Sequence, residues 1–176
     1  MKLYFFILMI GVSLLLQSCE FNCSIGKKEE EVEKPETLNK RVKNDILLET
    51  NGVKIEKAYL VFEDGTNVPE DNVVDFSKKI KMYVFIDSGW KVIDGKVKLG
   101  ASEKITALGK TLLNKEDLFN ELADGVSPED ASVISISAAV NLKNEIQPLT
   151  TFQVSFKIWD KNSEAFVTGS YKLFSK

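Results

Sequence analysis

The feature that most constrains the fold is an alternation of apolar and polar residues that recurs from about residue 45 onwards. Residues 80–86 place Ile, Met, Val and Ile at every second position, and residues 152–158 do the same with Phe, Val, Phe and Ile. Because successive side chains of a strand point to opposite faces, this period predicts strands with one buried face. Other stretches with this character predict further strands at 46–49, 53–63, 105–108, 134–142 and 166–174.

One turn between these strands has a specific signal. Asp94-Gly95 is typical of a two-residue hairpin, because glycine accepts the positive φ that a type I′ turn demands. The arms of this hairpin are predicted at 91–93 and 96–99.

A short helix is predicted where the alternation stops. The Asn114 side chain can cap a first helical turn, and Asp117 then lies at the third position. Apolar side chains at 118, 119 and 122 would share one face of the helix. Gly125 and Pro128 are expected to end it.

Together these elements predict an all-β domain over residues 45–176. Seven to eight strands with hairpin connections and one short helix favour an antiparallel immunoglobulin-like β-sandwich. A parallel α/β fold is disfavoured because the strands do not alternate with long helices. The 176 residues, 44% of them hydrophobic, suffice for one such domain and a further segment, and a second full domain is not expected.

The first 18 residues have the layout of a secretory signal peptide: Lys2, an apolar stretch from Leu3 to Leu16, and then Gln17-Ser18 ahead of Cys19. These fourteen residues, interrupted by Gly11 and Ser13, are too few for a spanning helix, which needs about 20 apolar residues. Leu16-Gln17-Ser18-Cys19 resembles the bacterial lipobox. The resemblance implies cleavage before Cys19, lipidation of its thiol with acyl chains, and a stable membrane anchor.

Residues 19–44 are predicted to be a polar, charge-dense tether that holds the domain off the bilayer. A flexible coil of 25 residues would span roughly 25 to 30 Å. Cys23 lies in this tether, and no disulfide framework is expected if Cys19 carries lipid. Acidic residues after the cysteine resemble surface-export signals of Bacteroidota lipoproteins. Outer-membrane anchoring is expected, with both a periplasm-facing and a surface-exposed location left open.

The absence of histidine limits the chemistry of the chain. Histidine is the side chain whose ordinary pKa lies nearest neutrality, so Ser-His-Asp and Cys-His sites and His-ligated zinc are excluded. No phosphate-cradling glycine loop or nucleophile motif is present either. The formal charge of -3, which becomes -4 once Lys2 is removed with the leader, argues against a nucleic-acid partner. We therefore expect no enzyme activity, no cofactor and no metal.

The sequence offers two kinds of oxygen-rich site, and ordinary turn chemistry is the alternative explanation for both. Carboxylate pairs at 63–64 and 129–130 could serve glycoside hydrolysis, but 26 acidic residues make such pairs common on a solvated surface. The loops at 64–72 and 160–164 offer oxygens for calcium, yet neither fits the twelve-residue calcium loop. Asp, Asn and Gly are frequent in turns for backbone reasons, which is the preferred interpretation.

Trp90 and Trp159 are the candidate ligand-binding residues. Trp90 follows Ser88-Gly89 in a predicted loop, and Trp159 lies opposite the core face of its strand. Each could offer a flat face to a glycan or a partner protein. The simpler alternative is that each ring covers an open end of the sandwich.

The stretch Thr151–Phe174, with its Trp159-Asp160-Lys161 turn, and more loosely residues 114–128, resemble small Bacteroidota lipoproteins that carry one immunoglobulin-like sandwich. That family has no agreed activity, so the resemblance transfers no functional residue. The leading hypothesis is a non-catalytic, lipid-anchored module that binds a glycan or a protein. The alternatives are a structural or accessory subunit of a surface assembly and a carboxylate-dependent glycan hydrolase.

Overall fold

The computed structural model describes residues 21–25, 41–138 and 147–176. The leader and Cys19 lie outside these ranges, as does most of the predicted tether. The described part contains no helix long and apolar enough to cross a bilayer. Within it the chain forms ten strands: β1 Phe21–Ile25, β2 Leu47–Asn51, β3 Lys54–Phe62, β4 Val73–Val74, β5 Ile80–Ser88, β6 Leu99–Ala107, β7 Lys110–Lys115, β8 Val133–Ala138, β9 Thr151–Asp160 and β10 Phe166–Ser175.

The strands form two sheets. Sheet A has the order β1-β8-β5-β3, and all its neighbouring strands are antiparallel. Sheet B has the order β2-β10-β9-β6-β7, also antiparallel, with the short β4 added in parallel to the end of β10. The chain changes sheet repeatedly as it proceeds. The predicted all-β, largely antiparallel class is confirmed.

A single hydrophobic core joins the two sheets. Sheet A contributes side chains such as Leu60, Met82 and Ile134, and sheet B contributes side chains such as Phe156 and Val167. The alternation in β5 and β9 therefore has the predicted cause: every second side chain enters the core. Burial of these apolar surfaces is the main favourable contribution to folding.

The predicted helix after Asn114 is wrong. Asn114 lies in β7, paired with Lys104 of β6. The following segment is a series of turns, in which the Leu122 N–H donates to the Phe119 carbonyl and the Gly125 N–H to the Leu122 carbonyl. Because Asn114 is paired with Lys104 inside the sheet, it cannot cap the predicted helix. The ten residues that remain before Gly125 are too few for a helix without strong local support.

The only described helical residues are the 3-10 turn Asp130–Ser132. The hairpin signal at Asp94-Gly95 is confirmed, with φ values of 50° and 71° and a bridge between Ile93 and Lys96. Its arms are shorter than predicted, since the following strand, β6, begins only at Leu99.

Part of the predicted tether is a strand. Phe21–Ile25 forms β1 and pairs with residues 134–138 of β8, with Cys23 opposite Ile136. Residues 41–44 also contact the domain, where the Lys43 N–H donates to the Ala58 carbonyl and the Ala58 N–H to the Arg41 carbonyl. Both flanks of the predicted tether therefore pair with sheet A.

Candidate functional site

Trp90 covers one end of the sandwich. Its indole Nε1–H donates to the Ala131 carbonyl at 3.1 Å, and the half-buried ring packs against the core. The preceding Gly89, at a φ of 124°, passes so close to Gly52 that a β-carbon would overlap the Gly52 backbone. Trp90 is therefore fixed in place by packing and by one hydrogen bond.

Trp159 lies on the outer face of sheet B. It is paired with Gly100 of β6 on one side and with Phe166 of β10 on the other. A β-carbon at Gly100 would overlap the indole, so the ring lies flat against the backbone of β6. The side chain is half-buried.

The structure places the two tryptophans at the same end of the molecule but directs their rings to different surfaces. The Lys91 N–H, next to Trp90, donates to the Asp160 carboxylate, next to Trp159, at 2.6 Å. The Trp90 ring faces Ala131 and the core, whereas the Trp159 ring faces outwards. The two predicted residues therefore do not form one shared platform.

An aromatic group on the outer face of sheet A was not predicted from the sequence. Tyr59 of β3 lies beside Tyr83 and Phe85 of β5, and these three rings form what we call the Tyr59 cluster. The Tyr59 and Phe85 rings are stacked, with centroids 5.7 Å apart and planes at 20°. Tyr83 lies 6.0 Å from Tyr59 and 6.2 Å from Phe85. All three side chains are half-buried, so part of the cluster is open to solvent.

Charged groups border the Tyr59 cluster. The Lys57 ammonium lies 4.2 Å from the centre of the Phe85 ring, a cation–π distance. Partial burial raises the pKa of Tyr59, and the nearby Tyr83 and Glu56 add to the effect. The Tyr59 hydroxyl is therefore neutral at physiological pH and can both donate and accept hydrogen bonds.

A pocket of about 400 Å³ adjoins the cluster at Lys57. Its lining contains both charge signs: Arg41, Lys54, Ile55, Glu56, Lys57 and Asp87. Lys54 and Asp87 form an ion pair at 2.8 Å, and the hydrogen bond and charge of Lys54 lower the pKa of Asp87. The pairing of β3 with β5 has a register shift between Ile55 and Lys57, the kind of irregularity that a β-bulge produces.

The sequence contained a signal for this cluster. Tyr83 and Phe85 occupy successive outward positions of β5, where a solvated sheet face usually carries polar side chains. Tyr59 holds the equivalent outward position on β3 and pairs directly with Tyr83. The sequence alone therefore shows that these aromatic residues face outwards. It does not show that Tyr59 lies next to Tyr83, because that contact depends on β3 and β5 being neighbours.

The aspartates of the two acidic loops already accept hydrogen bonds from neighbouring protein groups. Asp64 accepts hydrogen bonds from the N–H and the hydroxyl of Thr66, and these bonds lower its pKa. Asp160 accepts from the Lys91 and Asn162 N–H groups and from the Ser163 hydroxyl. Among the described residues there is no group of three or more Cys, Asp or Glu side chains arranged to hold a metal ion. The carboxylates of both loops thus stabilise turns.

Comparisons with known proteins give no guide to the site: no family model, no curated protein and no solved structure matches the chain.

Proposed function

We propose that this chain is a lipid-anchored protein of the bacterial cell envelope whose β-sandwich is a non-catalytic binding module. The observation that carries the binding role is the Tyr59 cluster with its adjacent charged pocket. The half-exposed aromatic rings offer apolar faces. Positively and negatively charged side chains in the adjoining pocket can donate and accept hydrogen bonds. A glycan suits this combination, since sugars present both C–H faces and hydroxyl groups.

The proposed anchor rests on the lipobox-like Leu16-Gln17-Ser18-Cys19. Membership of the small Bacteroidota lipoproteins and an immunoglobulin-like strand arrangement are parts of the same proposal, supported by the leader and by the two-sheet core. Mass spectrometry of the native protein tests the anchor. The expected mass is that of a chain beginning at acylated Cys19, and an intact leader or an unmodified thiol would contradict it.

The binding role is tested with envelope glycans and a matched pair of variants. On the outer face of sheet A, the Lys57 ammonium lies 4.2 Å from the centre of the Phe85 ring. On the outer face of sheet B, the Lys157 ammonium lies 4.9 Å from the centre of the Phe166 ring. We expect Phe85→Ala combined with Tyr83→Ala to weaken glycan binding at least about tenfold, because stacking contributes about 1 kcal/mol per ring. Phe166→Ala is the control and should change the Kd less than about twofold.

Glycan-array binding that survives in the Phe85 and Tyr83 variant would contradict a site at the Tyr59 cluster. Binding lost equally in the Phe166 variant would place the ligand elsewhere or indicate a general loss of folding. Thermal unfolding of each variant separates these two cases.

A further inference from the structure

One end of the sandwich is defined by where β1 begins. In sheet A, Phe21 at the start of β1 pairs with the last residue of β8, which pairs with the first residue of β5. In sheet B, the corresponding end carries the last residue of β6 and the start of β9. Phe76, just before β5, contacts Phe152 of β9 with ring centroids 4.2 Å apart, so these strand termini lie at one end of the molecule. We call it the β1 end.

Two exposed leucines lie in turns at the β1 end. Leu108, between β6 and β7, is 82% exposed, and Leu149, just before β9, is 68% exposed. Both have positive φ values, 51° and 60°. Positive φ is unfavourable for a residue with a branched aliphatic side chain and usually selects Gly, Asn or Asp. Neither exposure nor backbone conformation therefore explains a leucine at either position.

A turn at the opposite end of β6 shows what the backbone alone would select. Asp94-Gly95 has φ values of 50° and 71°, and Leu108-Gly109 has 51° and 72°. The two turns have nearly the same φ values, and each is followed by an exposed lysine, Lys96 or Lys110. The turn at the β1 end differs by presenting an aliphatic side chain where its counterpart presents a carboxylate.

The route of the chain supplies a reason for this difference. Cys19 is two residues before Phe21, a separation of at most about 7 Å in extended chain. Lipid on Cys19 would therefore enter the bilayer beside the β1 end. We propose that the β1 end docks on the bilayer surface, with Leu108 and Leu149 inserted among the lipid headgroups. This inference rests on the lipid anchor of the proposed function.

Docking gives the exposed leucines an apolar environment without requiring a specific lipid. Aliphatic side chains that enter the interfacial region contribute in proportion to the apolar area they bury. With the β1 end on the bilayer, the opposite end, with Trp90 and the Asp94-Gly95 turn, is directed away from it. The domain would lie against the membrane instead of standing off it on a long tether.

The matched lysines allow a direct test on the lipidated protein in phosphatidylcholine vesicles. With Cys23→Ser removing the other thiol, Lys110→Cys or Lys96→Cys carries one environment-sensitive fluorophore, and nitroxide-labelled lipids act as quenchers. We expect quenching at position 110 to exceed that at position 96 several-fold. Leu108→Asn with Leu149→Asn should reduce it to the level of position 96 without lowering the Tm, because Asn tolerates positive φ.

Equal quenching at both positions in protein that mass spectrometry shows to be lipidated would overturn the docking proposal and leave the anchor intact. Protection of position 110 in intact envelopes but not on vesicles would also overturn it, because the covering partner would then be a protein. If Cys19 is unmodified, the anchor fails. Docking is then measured as the affinity of the unlipidated protein for vesicles. This affinity must fall at least about tenfold in the double asparagine variant. An unchanged affinity would overturn docking as well.

Discussion

Buried polar side chains at two places in the described part of this domain have different surroundings. Asn44 and Asn72 face each other beside β3, and each side-chain amide is hydrogen-bonded. Glu103 points from β6 into the core between the sheets, 3% exposed, and its Oε2 has no hydrogen-bond partner among the described residues. One region is a satisfied polar network, and the other is a carboxyl group in an apolar environment.

The Asn44 network joins three segments. Its Nδ2 donates to the Val68 and Pro69 carbonyls and to Asn72 Oδ1, while its Oδ1 accepts from the Leu60 N–H. These bonds attach residues 41–46 and the loop before β4 to the outer edge of β3. The network covers backbone groups that would otherwise be left open at a sheet edge.

Glu103 has the opposite effect on stability. Burial raises its pKa to about 7, and its negative charge adds to the burial that raises the pKa of Tyr171 well above its usual range. A buried carboxyl without full hydrogen bonding costs free energy when it ionises. The comparison leads us to expect that a buried polar group stabilises this fold only where its hydrogen bonds are complete.

The largest effect is expected from breaking the satisfied network. Asn44→Ala removes four hydrogen bonds, leaves buried groups without partners and places alanine at a φ of 58°. We expect the free energy of unfolding to fall by about 3 to 4 kcal/mol, measured by urea denaturation. Asn51→Ala, which removes an exposed bond to the Glu164 carbonyl, is the control and should cost less than about 1 kcal/mol. Similar losses in both variants would refute the role assigned to burial.

The next effect is a pH dependence caused by Glu103. Its folded pKa, about 7, exceeds its ordinary value of 4.5, so the unfolded chain releases its proton first as the pH rises. Stability should therefore be highest below pH 4.5 with respect to this group, decrease between 4.5 and 7, and level off above 7. The full loss corresponds to at most about 3 kcal/mol. Urea denaturation across this range measures it, and Glu103→Gln should lack this component.

A smaller gain is expected when the Glu103 charge is removed at high pH. At pH 8 the wild-type carboxyl is ionised in the core, whereas Glu103→Gln is neutral and nearly the same size. We expect the variant to be more stable by about 1 to 2 kcal/mol, less than the full pH effect because a buried amide also needs partners. At pH 4 the order should reverse, with the variant less stable by about 1 to 2 kcal/mol, because the protonated wild-type carboxyl no longer carries the cost of a buried charge. A variant less stable than wild type at pH 8 would show that the carboxylate makes stabilising contacts.

The smallest effect is expected at a satisfied group that is only partly buried. Asp117 accepts from the Phe119 N–H at 2.9 Å, the Ala101 N–H at 3.3 Å and the Lys161 ammonium at 2.7 Å. Burial opposes ionisation, but these bonds together lower the pKa of Asp117. Lys161→Met should cost less than about 1 kcal/mol in thermal or urea unfolding, because solvent screens the pair. A free-energy loss as large as that of Asn44→Ala would show that burial does not set the size of these effects.

Strands with a clean alternation were predictable from the sequence, and irregular ones were not. The long runs of β5 and β9 were identified because each core position holds a large apolar residue. In β6, Gly100 and Glu103 interrupt the pattern, so one strand was divided into a hairpin arm and a separate short strand. The Leu108-Gly109 hairpin was missed because leucine rarely adopts positive φ, and its absence from the prediction left Asn114 free to be interpreted as a helix cap.

The candidate site was harder to predict than the strands. Trp90 and Trp159 were chosen by residue type, and their positions relative to the sheet were partly foreseen. The Tyr59 cluster depends on β3 and β5 being neighbours, which no local pattern of residues reveals. Physical chemistry of single segments predicts which side chains face outwards, but contacts between strands distant in sequence require the topology.

The pairing of β1 with β8 affects how recombinant protein should be prepared. A shortened chain that starts after residue 25 would present β8 with an unprotected hydrogen-bonding edge, to which a second molecule could add a strand. Dimers or aggregates of such a fragment would then be products of truncation. Material that retains Phe21–Ile25 would therefore be the proper reference for any measurement of self-association.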